Sequence, residues 1–280
     1  MIIFKRSVEL NRYLKGLKAE GNRIGFIPTM GALHHGHISL IEQAETQSDT
    51  TVCSIFVNPT QFNNPGDFSK YPVTIEKDLL LLEGSGTDIL FLPDVEEIYP
   101  GGMKALPGFD LGWLETVLEG AFRPGHFQGV CQVMDRMLDI VQPHRLFMGQ
   151  KDYQQCMVVK RLLELKNSDT ELVTCPTVRE ADGLAMSSRN LRLSVEERKK
   201  AVAIFNTLNY IRKNFGEEAI TTLKNNATQL LETSGLKVDY VEIADADNLS
   251  ILDRPIADRN AIALIAAFMN EVRLIDNMKL

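Results

Sequence analysis

The chain has 280 residues, 44% of them hydrophobic, and a mean hydropathy of −0.09, values typical of a soluble globular protein large enough for two domains. Its formal net charge of −7 excludes a broad basic surface, so we expect neither a nucleic-acid nor a membrane partner. The amino terminus lacks the charged start and apolar stretch of a signal peptide, and no run approaches the roughly 18 apolar residues of a membrane span, so we expect a cytoplasmic location.

The first two thirds of the chain alternate short apolar runs with amphipathic stretches. The apolar runs predict strands at 23–28, 51–58, 88–93, 145–149 and 171–178. Helical patterns lie between them at 35–47, 74–84, 126–141 and 151–166. Nearly continuous apolar strands joined by crossover helices predict an α/β fold with a Rossmann-like, doubly wound parallel sheet. In such folds ligands bind at the carboxyl ends of the strands.

The pattern changes near residue 177. The polar segment READGLAMSSRNLRLS precedes Ser194 and Glu197, whose spacing indicates a capping box at the start of a helix. A further helix is predicted at about 217–233, followed by strands at 237–245, 261–270 and 271–278. We therefore predict a Rossmann-like domain at 1–176 and a smaller C-terminal α+β domain at 177–280.

The four cysteines are spread along the chain at Cys53, Cys131, Cys156 and Cys175. They form no CxxC pair, which disfavours a zinc ribbon or a disulfide-stapled fold. Two of them, Cys131 and Cys156, lie on predicted helices, where packing in a core is the usual role. We therefore expect reduced and mostly buried thiols.

Three of the five histidines crowd into the HHGH segment of GFIPTMGALHHGHISL, between a predicted strand and a predicted helix. His34 and His37 share one helix face, whereas His35 turns away. Gly31 and Gly36 allow an anion to approach the backbone, and the amino terminus of a helix favours phosphate. The pattern therefore predicts a phosphate site, with surface or core histidines as the alternative. A zinc site is disfavoured, because HExxH is absent and no further ligand lies at the usual spacing.

The string PTMGALHHGH resembles the HxGH signature of the nucleotidylyltransferase superfamily, and the longer stretch is similar to the pantothenate synthetase (pantoate–β-alanine ligase) family. Four further blocks resemble that family and appear in its order, namely SIFVNPTQF at 54–62, RPGHFQGV at 123–130, GQKDYQQ at 149–155 and READGLAMSSRN at 179–190. The resemblance implies a ligase that uses ATP to condense pantoate with β-alanine through pantoyl-adenylate, giving pantothenate, AMP and pyrophosphate. It also implies that 1–176 binds ATP and pantoate and that 177–280 acts as a lid.

Several residue types in these blocks suit a triphosphate. Lys151 supplies a point charge, Ser187 and Ser188 supply hydroxyl donors, and the guanidinium of Arg189 matches phosphate oxygens. The implied catalytic residues are His37, His34, Lys151 and Arg189, with His37 the donor whose loss should be most costly. The implied ATP-binding residues are Met30, Gly31, Ala32, Leu33, His34, His35, Gly36, His37, Gly149, Gln150, Lys151, Asp152, Val178, Met186, Ser187, Ser188 and Arg189. Mg²⁺ is expected on the triphosphate, with no protein ligand identified.

Uncharged amides are expected to bind the acid substrate. Asn58 and Gln61 follow a predicted strand, where amides suit a small hydroxy acid, although Asn58 also fits the cap of a turn. The resemblance implies that Gln61 contacts pantoate and lies near β-alanine, and that Gln155 is a second pantoate contact. Arg123 and His126 are secondary candidates for holding a carboxylate or a phosphate, because a turn containing Pro and Gly at a helix start explains them equally.

Some positions depart from the family pattern. His35 occupies a position that is often acidic, Gln150 stands where Glu is common, and the segment 63–73 lacks an expected acidic pair and an Arg. These departures leave open how 63–73 covers the site. Tyr71 and Asp67 therefore stay outside the candidate set.

Other functions remain open at this point. A nucleotide-adenylyl or cytidylyl transferase could use the same scaffold, but the NPTQF block disfavours it. A binding module that senses nucleotide without catalysis is disfavoured by the presence of Lys151, His37 and Arg189. A transfer-RNA ligase is disfavoured because no basic anticodon-binding extension is present. The family suggests a homodimer, and the apolar helix at 129–141 could supply its interface or belong to an internal core.

Overall fold

The structure is a computed structural model that describes residues 1–254 and 260–280. The chain forms two compact units. The first comprises Met1–Gly149 and Gln154–Pro176, and the second comprises Gln150–Tyr153 and Thr177–Leu280. The predicted domain at 177–280 includes 255–259, which lie outside the described residues. The functional division into a substrate-binding domain and a lid stays a prediction.

The first unit is built on a parallel sheet. Its strands are β1 (Ile2–Phe4), β2 (Ile24–Thr29), β3 (Thr50–Ile55), β4 (Ile89–Phe91), β5 (Arg145–Gly149) and β6 (Glu171–Cys175). Within the described part of the chain they form a six-stranded sheet in the order β1-β4-β3-β2-β5-β6, and every neighbouring pair is parallel. The chain order reverses between β2 and β5, so the carboxyl end of β2 lies at the switch point where such sheets bind ligands. The predicted Rossmann-like sheet is confirmed.

Helices cover both faces of this sheet. Up to β6 they are α1 (Ser7–Ala19), α2 (His35–Glu45), α3 (Pro65–Ser69), α4 (Ile75–Gly84), α5 (Val95–Ile98), α6 (Glu119–Phe122), α7 (His126–Val141) and α8 (Tyr153–Leu165). Phe26 of β2 packs in one hydrophobic cluster with α1, α7 and α8, whereas the next residue, Ile27, packs in another with α2 and α4. Successive side chains of a strand point to opposite faces, which explains why these strands are apolar throughout.

The apolar helix α7 belongs to the core of its unit. Val130, Cys131, Met134 and Met137 are all buried in the same cluster as Phe26. Packing in an internal core therefore accounts for these apolar residues of the helix. All four cysteines are buried thiols that take part in no disulfide.

The second unit has its own antiparallel sheet and its own core. Its helices are α9 (Val195–Ala201), α10 (Ala203–Asn214) and α11 (Ile220–Thr233), and its strands are β7 (Lys237–Asp245), β8 (Ala261–Met269) and β9 (Val272–Lys279). Among the described residues the strands pair in the order β7-β8-β9. The apolar faces of the strands and helices form one cluster around Leu208, Leu223 and Ile265. This unit is the predicted α+β part of the fold.

The predicted capping box is present at the start of α9. Ser194 N donates to Glu197 Oε2 at 2.7 Å, and Glu197 N donates to Ser194 Oγ at 3.3 Å. The helix that follows is interrupted at Val202, which separates α9 from α10. No helix of residues 1–254 or 260–280 is long and apolar enough to cross a bilayer.

Candidate active site

A buried carboxylate holds the loop that follows β2. Asp78 of α4 is 1% exposed, and its carboxylate accepts hydrogen bonds from Ala32 N at 2.9 Å, Leu33 N at 2.8 Å and Thr74 Oγ1 at 3.0 Å. The loop bends sharply here, with φ of +79° at Gly31 and +49° at Ala32. A side chain at Gly31 would be strained, and its Cβ would lie 3.1 Å from Asp78 Oδ2. Asp78 therefore fixes the shape of the PTMGAL segment, although it was not among the residues predicted from the sequence.

His34 and His37 lie at the start of α2 with their rings in contact. The ring centroids are 4.1 Å apart. Nδ1 of His34 accepts from Gly36 N at 3.1 Å, and Nδ1 of His37 accepts from His34 N at 3.3 Å. A ring nitrogen that accepts carries no hydrogen, so both neutral rings hold their hydrogen on Nε2. His35 is exposed and turns away from the pair.

The backbone amides of this segment bond within the protein. Gly31 N donates to Thr29 Oγ1 at 3.2 Å, and His37 N donates to His34 O at 2.8 Å. With the bonds already described, the amides of Gly31, Ala32, Leu33, His34, Gly36 and His37 all have intramolecular acceptors. These six amides at the helix start are therefore already paired within the chain. The loop curls back on Asp78, and the two rings cap the first turn of the helix.

The turn after β3 brings Gln61 to the same loop. Gln61 Nε2 donates to Met30 Sδ at 3.1 Å, and Gln61 Oε1 accepts from Asn58 Nδ2 at 3.0 Å. Asn58, 1% exposed, also donates to Gly129 O at 3.1 Å and accepts from Tyr99 OH at 2.8 Å. The structure thus joins Met30, Asn58 and Gln61. Asn58 is occupied by protein partners, whereas Gln61 is half-buried.

The remaining candidates of the first unit have different surroundings. His126 is buried beneath the Gln61 turn, with Arg123 beside it. Gly149 ends β5, and its carbonyl accepts from Cys156 Sγ at 3.5 Å. Gln155 lies in the first turn of α8, where its side chain makes no hydrogen bond to the described residues. No described contact therefore joins Gln155 to Gln61.

In the second unit, β9 holds the turn that carries Lys151. Asn277 of β9 is 2% exposed, and its Nδ2 donates to Gln150 O at 2.9 Å and to Lys151 O at 3.0 Å. Gln150 Nε2 returns a bond to Asn277 Oδ1 at 3.1 Å. Lys151 Nζ lies 3.7 Å from Asp152 Oδ2. The predicted helix at 151–166 thus begins as a 3₁₀ turn over Gln150–Asp152, and α8 starts at Tyr153.

The AMSSRN loop is folded against the same strand. Met186 N donates to Val178 O at 3.0 Å, which closes the loop at its base. Ser187 Oγ accepts from Arg189 N at 3.3 Å and begins a 3₁₀ turn, while Ser188 is buried. The second unit therefore brings Lys151 and the serine–arginine loop to one strand.

A buried ion pair supports this arrangement. Arg179 Nη1 lies 2.6 Å from Asp276 Oδ2, and Arg179 Nη2 lies 3.1 Å from Asp276 Oδ1. Burial raises the pKa of Asp276, and the guanidinium of Arg179 opposes that shift. Asp276 precedes Asn277, so the pair anchors the strand that holds the Lys151 turn. Neither residue was predicted from the sequence, and the available signal is the adjacent polar pair Asp-Asn within the EVRLIDNM strand.

The first unit, with a bent HxGH loop at the switch point of a doubly wound sheet, defines a Rossmann-like α/β protein that binds its ligands at the strand ends. Comparison with known proteins identifies the family. The family model described as Pantoate-beta-alanine ligase matches residues 2–279. The chain belongs to the pantoate–β-alanine ligase family, and it is an ATP-dependent ligase that joins pantoate to β-alanine through an adenylate intermediate.

Proteins similar to this chain in sequence and in structure carry the names of the same family. The chain is similar to the pantothenate synthetase of Bacteroides fragilis, with 44% identity over 97% of this chain and 96% of that protein. It is equally similar to that of Cytophaga hutchinsonii, with 44% identity over 99% of both chains. The crystal structure of pantothenate synthetase from Thermus thermophilus superposes with a TM-score of 0.92 at 40% identity over 99% of both chains. The Francisella tularensis ligase, complexed with beta-gamma ATP and beta-alanine, has a TM-score of 0.81 at 35% identity, covering 99% of this chain and 97% of that one.

Proposed function

We propose that His34 and His37 bind the phosphates of ATP through their Nε2–H groups, and that Gln61 binds pantoate. The observation that carries this proposal is the fixed tautomer of the two rings at the carboxyl end of β2, next to the loop that Gln61 contacts through Met30. The donors are oriented before ATP arrives, so little reorganisation is needed when charge develops.

The chemistry explains why ATP is needed. A carboxylate does not react with an amine at neutral pH, because its leaving group would be oxide. A pantoate carboxylate oxygen attacks the α-phosphorus, the bond to pyrophosphate breaks, and pantoyl-adenylate forms. The β-alanine nitrogen then attacks the acyl carbon, the bond to AMP breaks and a proton leaves the nitrogen. Catalysis consists mainly of alignment and stabilisation of charge on the departing pyrophosphate.

The other residues of the ATP set act by charge and by shape. Lys151 and Arg189 neutralise phosphate oxygens, Ser187 and Ser188 donate hydroxyl hydrogens, and the backbone of Val178 contacts adenine. The further ATP contacts are Met30, Gly31, Ala32, Leu33, His35, Gly36, Gly149, Gln150, Asp152 and Met186. Ala32 and Leu33 contribute through atoms other than their amide hydrogens, which Asp78 occupies. Residues 177–280 act as the lid.

Two amides bind pantoate, and a third orients one of them. Gln61 and Gln155 contact pantoate, and β-alanine enters near Gln61. Asn58, which its position after a strand predicted as a substrate contact, orients the Gln61 carboxamide instead, because its own polar atoms are bonded to protein. Uncharged donors and acceptors suit the hydroxyl groups of pantoate.

The proposal also covers the metal ion, the oligomeric state and the cellular location. Among residues 1–254 and 260–280 no group of three or more His, Cys, Asp or Glu could hold a metal ion, so Mg²⁺ is proposed on the phosphate oxygens, where it neutralises charge. We propose a homodimer in the cytoplasm with no nucleic-acid partner. Sedimentation equilibrium tests the dimer, and a monomeric mass would contradict it.

Mass spectrometry tests the central proposal. Protein, ATP, Mg²⁺ and pantoate are mixed without amine, and a mass corresponding to pantoyl-adenylate is expected, together with pyrophosphate. Adding β-alanine should convert it to pantothenate and AMP. His34→Ala and Gln61→Ala should form the adenylate far more slowly, whereas Glu42→Gln on the exposed side of α2 is the matched control. Normal adenylate formation by the first two variants would overturn the assigned roles.

A further inference from the structure

His126 links the start of α7 to the main chain of Gln61. It is 4% exposed, its Nδ1 lies 2.8 Å from Gln61 O, and its Nε2 lies 3.1 Å from Arg123 Nη1. A carbonyl only accepts and a guanidinium only donates, so the ring is neutral with its hydrogen on Nδ1. Arg123 Nη1 in turn lies 3.5 Å from the buried Glu119 carboxylate, which keeps the guanidinium in place.

The same turn is held from two other directions. Tyr99 OH donates to Asn58 Oδ1 at 2.8 Å, and Asn58 Nδ2 bonds to Gly129 O at 3.1 Å. Helix α7 approaches so closely that a Cβ at Gly129 would lie 2.2 Å from Thr60 O. The main chain at 58–61 is therefore fixed by a helix face and by two aromatic side chains, which sets the position from which the Gln61 side chain extends.

We propose that His126 is a positioning residue for the acid substrate, setting the main chain of Gln61 so that its carboxamide meets pantoate. This inference rests on the proposed role of Gln61. Both ring nitrogens face protein groups, so His126 acts through Gln61 and not by holding a carboxylate or phosphate itself. A displacement of about 1 Å in a substrate-positioning group is enough to cost on the order of 100-fold in rate.

Two polar substitutions separate the Nδ1 bond from general packing. In His126→Asn the side-chain NH₂ takes the place of Nδ1 and can still donate to Gln61 O. In His126→Gln the amide takes the place of Nε2, so that the bond to Gln61 O is lost. Both variants keep a buried amide, and comparing them isolates the single bond that matters.

Steady-state kinetics with the full chain provides the test. For His126→Gln we expect kcat/KM for pantoate to fall by about 10- to 100-fold while the KM for ATP changes by less than about twofold. In His126→Asn, kcat/KM for pantoate should return most of the way to the wild-type value. Tyr99→Phe, which removes only the hydroxyl bonded to Asn58, should lower kcat/KM for pantoate by a smaller factor than His126→Gln does.

Each outcome has a defined meaning. Equal losses in His126→Asn and His126→Gln, or a loss that affects ATP and pantoate alike, would overturn the positioning role. Gln61→Ala, measured in parallel, tests the proposed function separately. If Gln61→Ala impairs pantoate use but His126→Gln does not, only the inference about His126 fails. If Gln61→Ala leaves pantoate use unchanged, the proposed role of Gln61 fails and the inference fails with it. Should either His126 variant fail to fold, Tyr99→Phe decides, and unchanged pantoate kinetics there would contradict the inference.

Discussion

Single hydrogen bonds select different tautomers in histidines of the same unit. Nδ1 of His34 and Nδ1 of His37 accept backbone hydrogen bonds, so their hydrogens lie on Nε2. His126 has the opposite tautomer, because its Nδ1 faces a carbonyl. The first pair can donate to an anion, whereas His126 is directed inward. Counting histidines in a motif does not distinguish these tautomers, whereas the hydrogen-bond partner of each nitrogen does.

The first prediction concerns His37. His37→Ala removes a donor to developing phosphate charge and also the acceptor for His34 N, so we expect pantoate-dependent ATP–pyrophosphate exchange to fall by about 100- to 1,000-fold. The measurement is isotope exchange at saturating substrates. Gln43→Ala, on the exposed face of α2, is the control and should retain the wild-type rate. An unchanged exchange rate in His37→Ala would show that this ring does not assist the departure of pyrophosphate.

The second prediction concerns Asp78. Asp78→Asn supplies one acceptor oxygen where two are needed, and its NH₂ group would face a backbone N–H. We expect the free energy of unfolding, measured with urea, to fall by about 1–3 kcal/mol, and the KM for ATP to rise because the HxGH loop loses its support. Glu76→Gln makes nearly the same change on the exposed side of α4 and should alter neither quantity. Equal stability in the two variants would contradict the role of Asp78.

At the scale of elements, periodic apolar patterns predicted the bounds of those helices and strands whose formation depends on local sequence. The bounds of β5, α7 and β7 agree with the prediction, because each is a strongly patterned segment. The predicted strand at 51–58 ends at Ile55, since the chain turns away to bury Asn58. The strand β1 was not predicted, because it is three residues long, largely exposed and has no alternation to detect.

The candidate site likewise contains residues that could be predicted from the sequence and residues that could not. Residues within compact motifs, such as the HxGH histidines and Lys151, could be named from the sequence. Asp78 and Asn277 could not, because their importance comes from partners 45 to 127 positions away. Asp78 stands in a helix where a carboxylate ordinarily faces water, and no local signal shows that it is buried. Tertiary partners of this kind become visible only when the backbone path is known.

The third prediction compares two glycines in helices. Gly129 of α7 packs against the Gln61 turn, where an added Cβ would lie 2.2 Å from Thr60 O and 2.6 Å from Gln61 N. Gly129→Ala should therefore separate the helix from the turn, destabilise the protein by about 1–3 kcal/mol and impair pantoate use. Gly16→Ala of α1, with no atom within 4 Å of the new Cβ, should be neutral or stabilising by up to about 1 kcal/mol. Thermal unfolding and pantoate kinetics measure both, and a harmless Gly129→Ala would contradict the close packing.

At the scale of the whole chain, the two units differ in their content of buried cysteines. Each has a separate hydrophobic core, but all four cysteines lie in the first unit. Burial raises the pKa of Cys53 to about 12 and that of Cys131 to about 12, from an ordinary value of 9.0. These thiols are inert toward reagents that require thiolate, since the folded protein keeps them protonated well above neutral pH.

The same shifts make the first unit sensitive to alkali. The folded state keeps the protons of Cys53 and Cys131 up to a pH of about 12, whereas the unfolded chain releases them above 9.0. The unfolded state therefore binds fewer protons in this window, so stability is complete below the lower value and falls as pH rises, by about 1.4 kcal/mol per pH unit for each thiol. Urea unfolding between pH 8 and about 10.5 measures the slope. A Cys53→Ala, Cys131→Ala double variant starts from lower stability but should lose most of this slope, because neither state then has a thiol to titrate at these positions. An identical slope in the wild type and the double variant would show that other groups cause the alkaline loss.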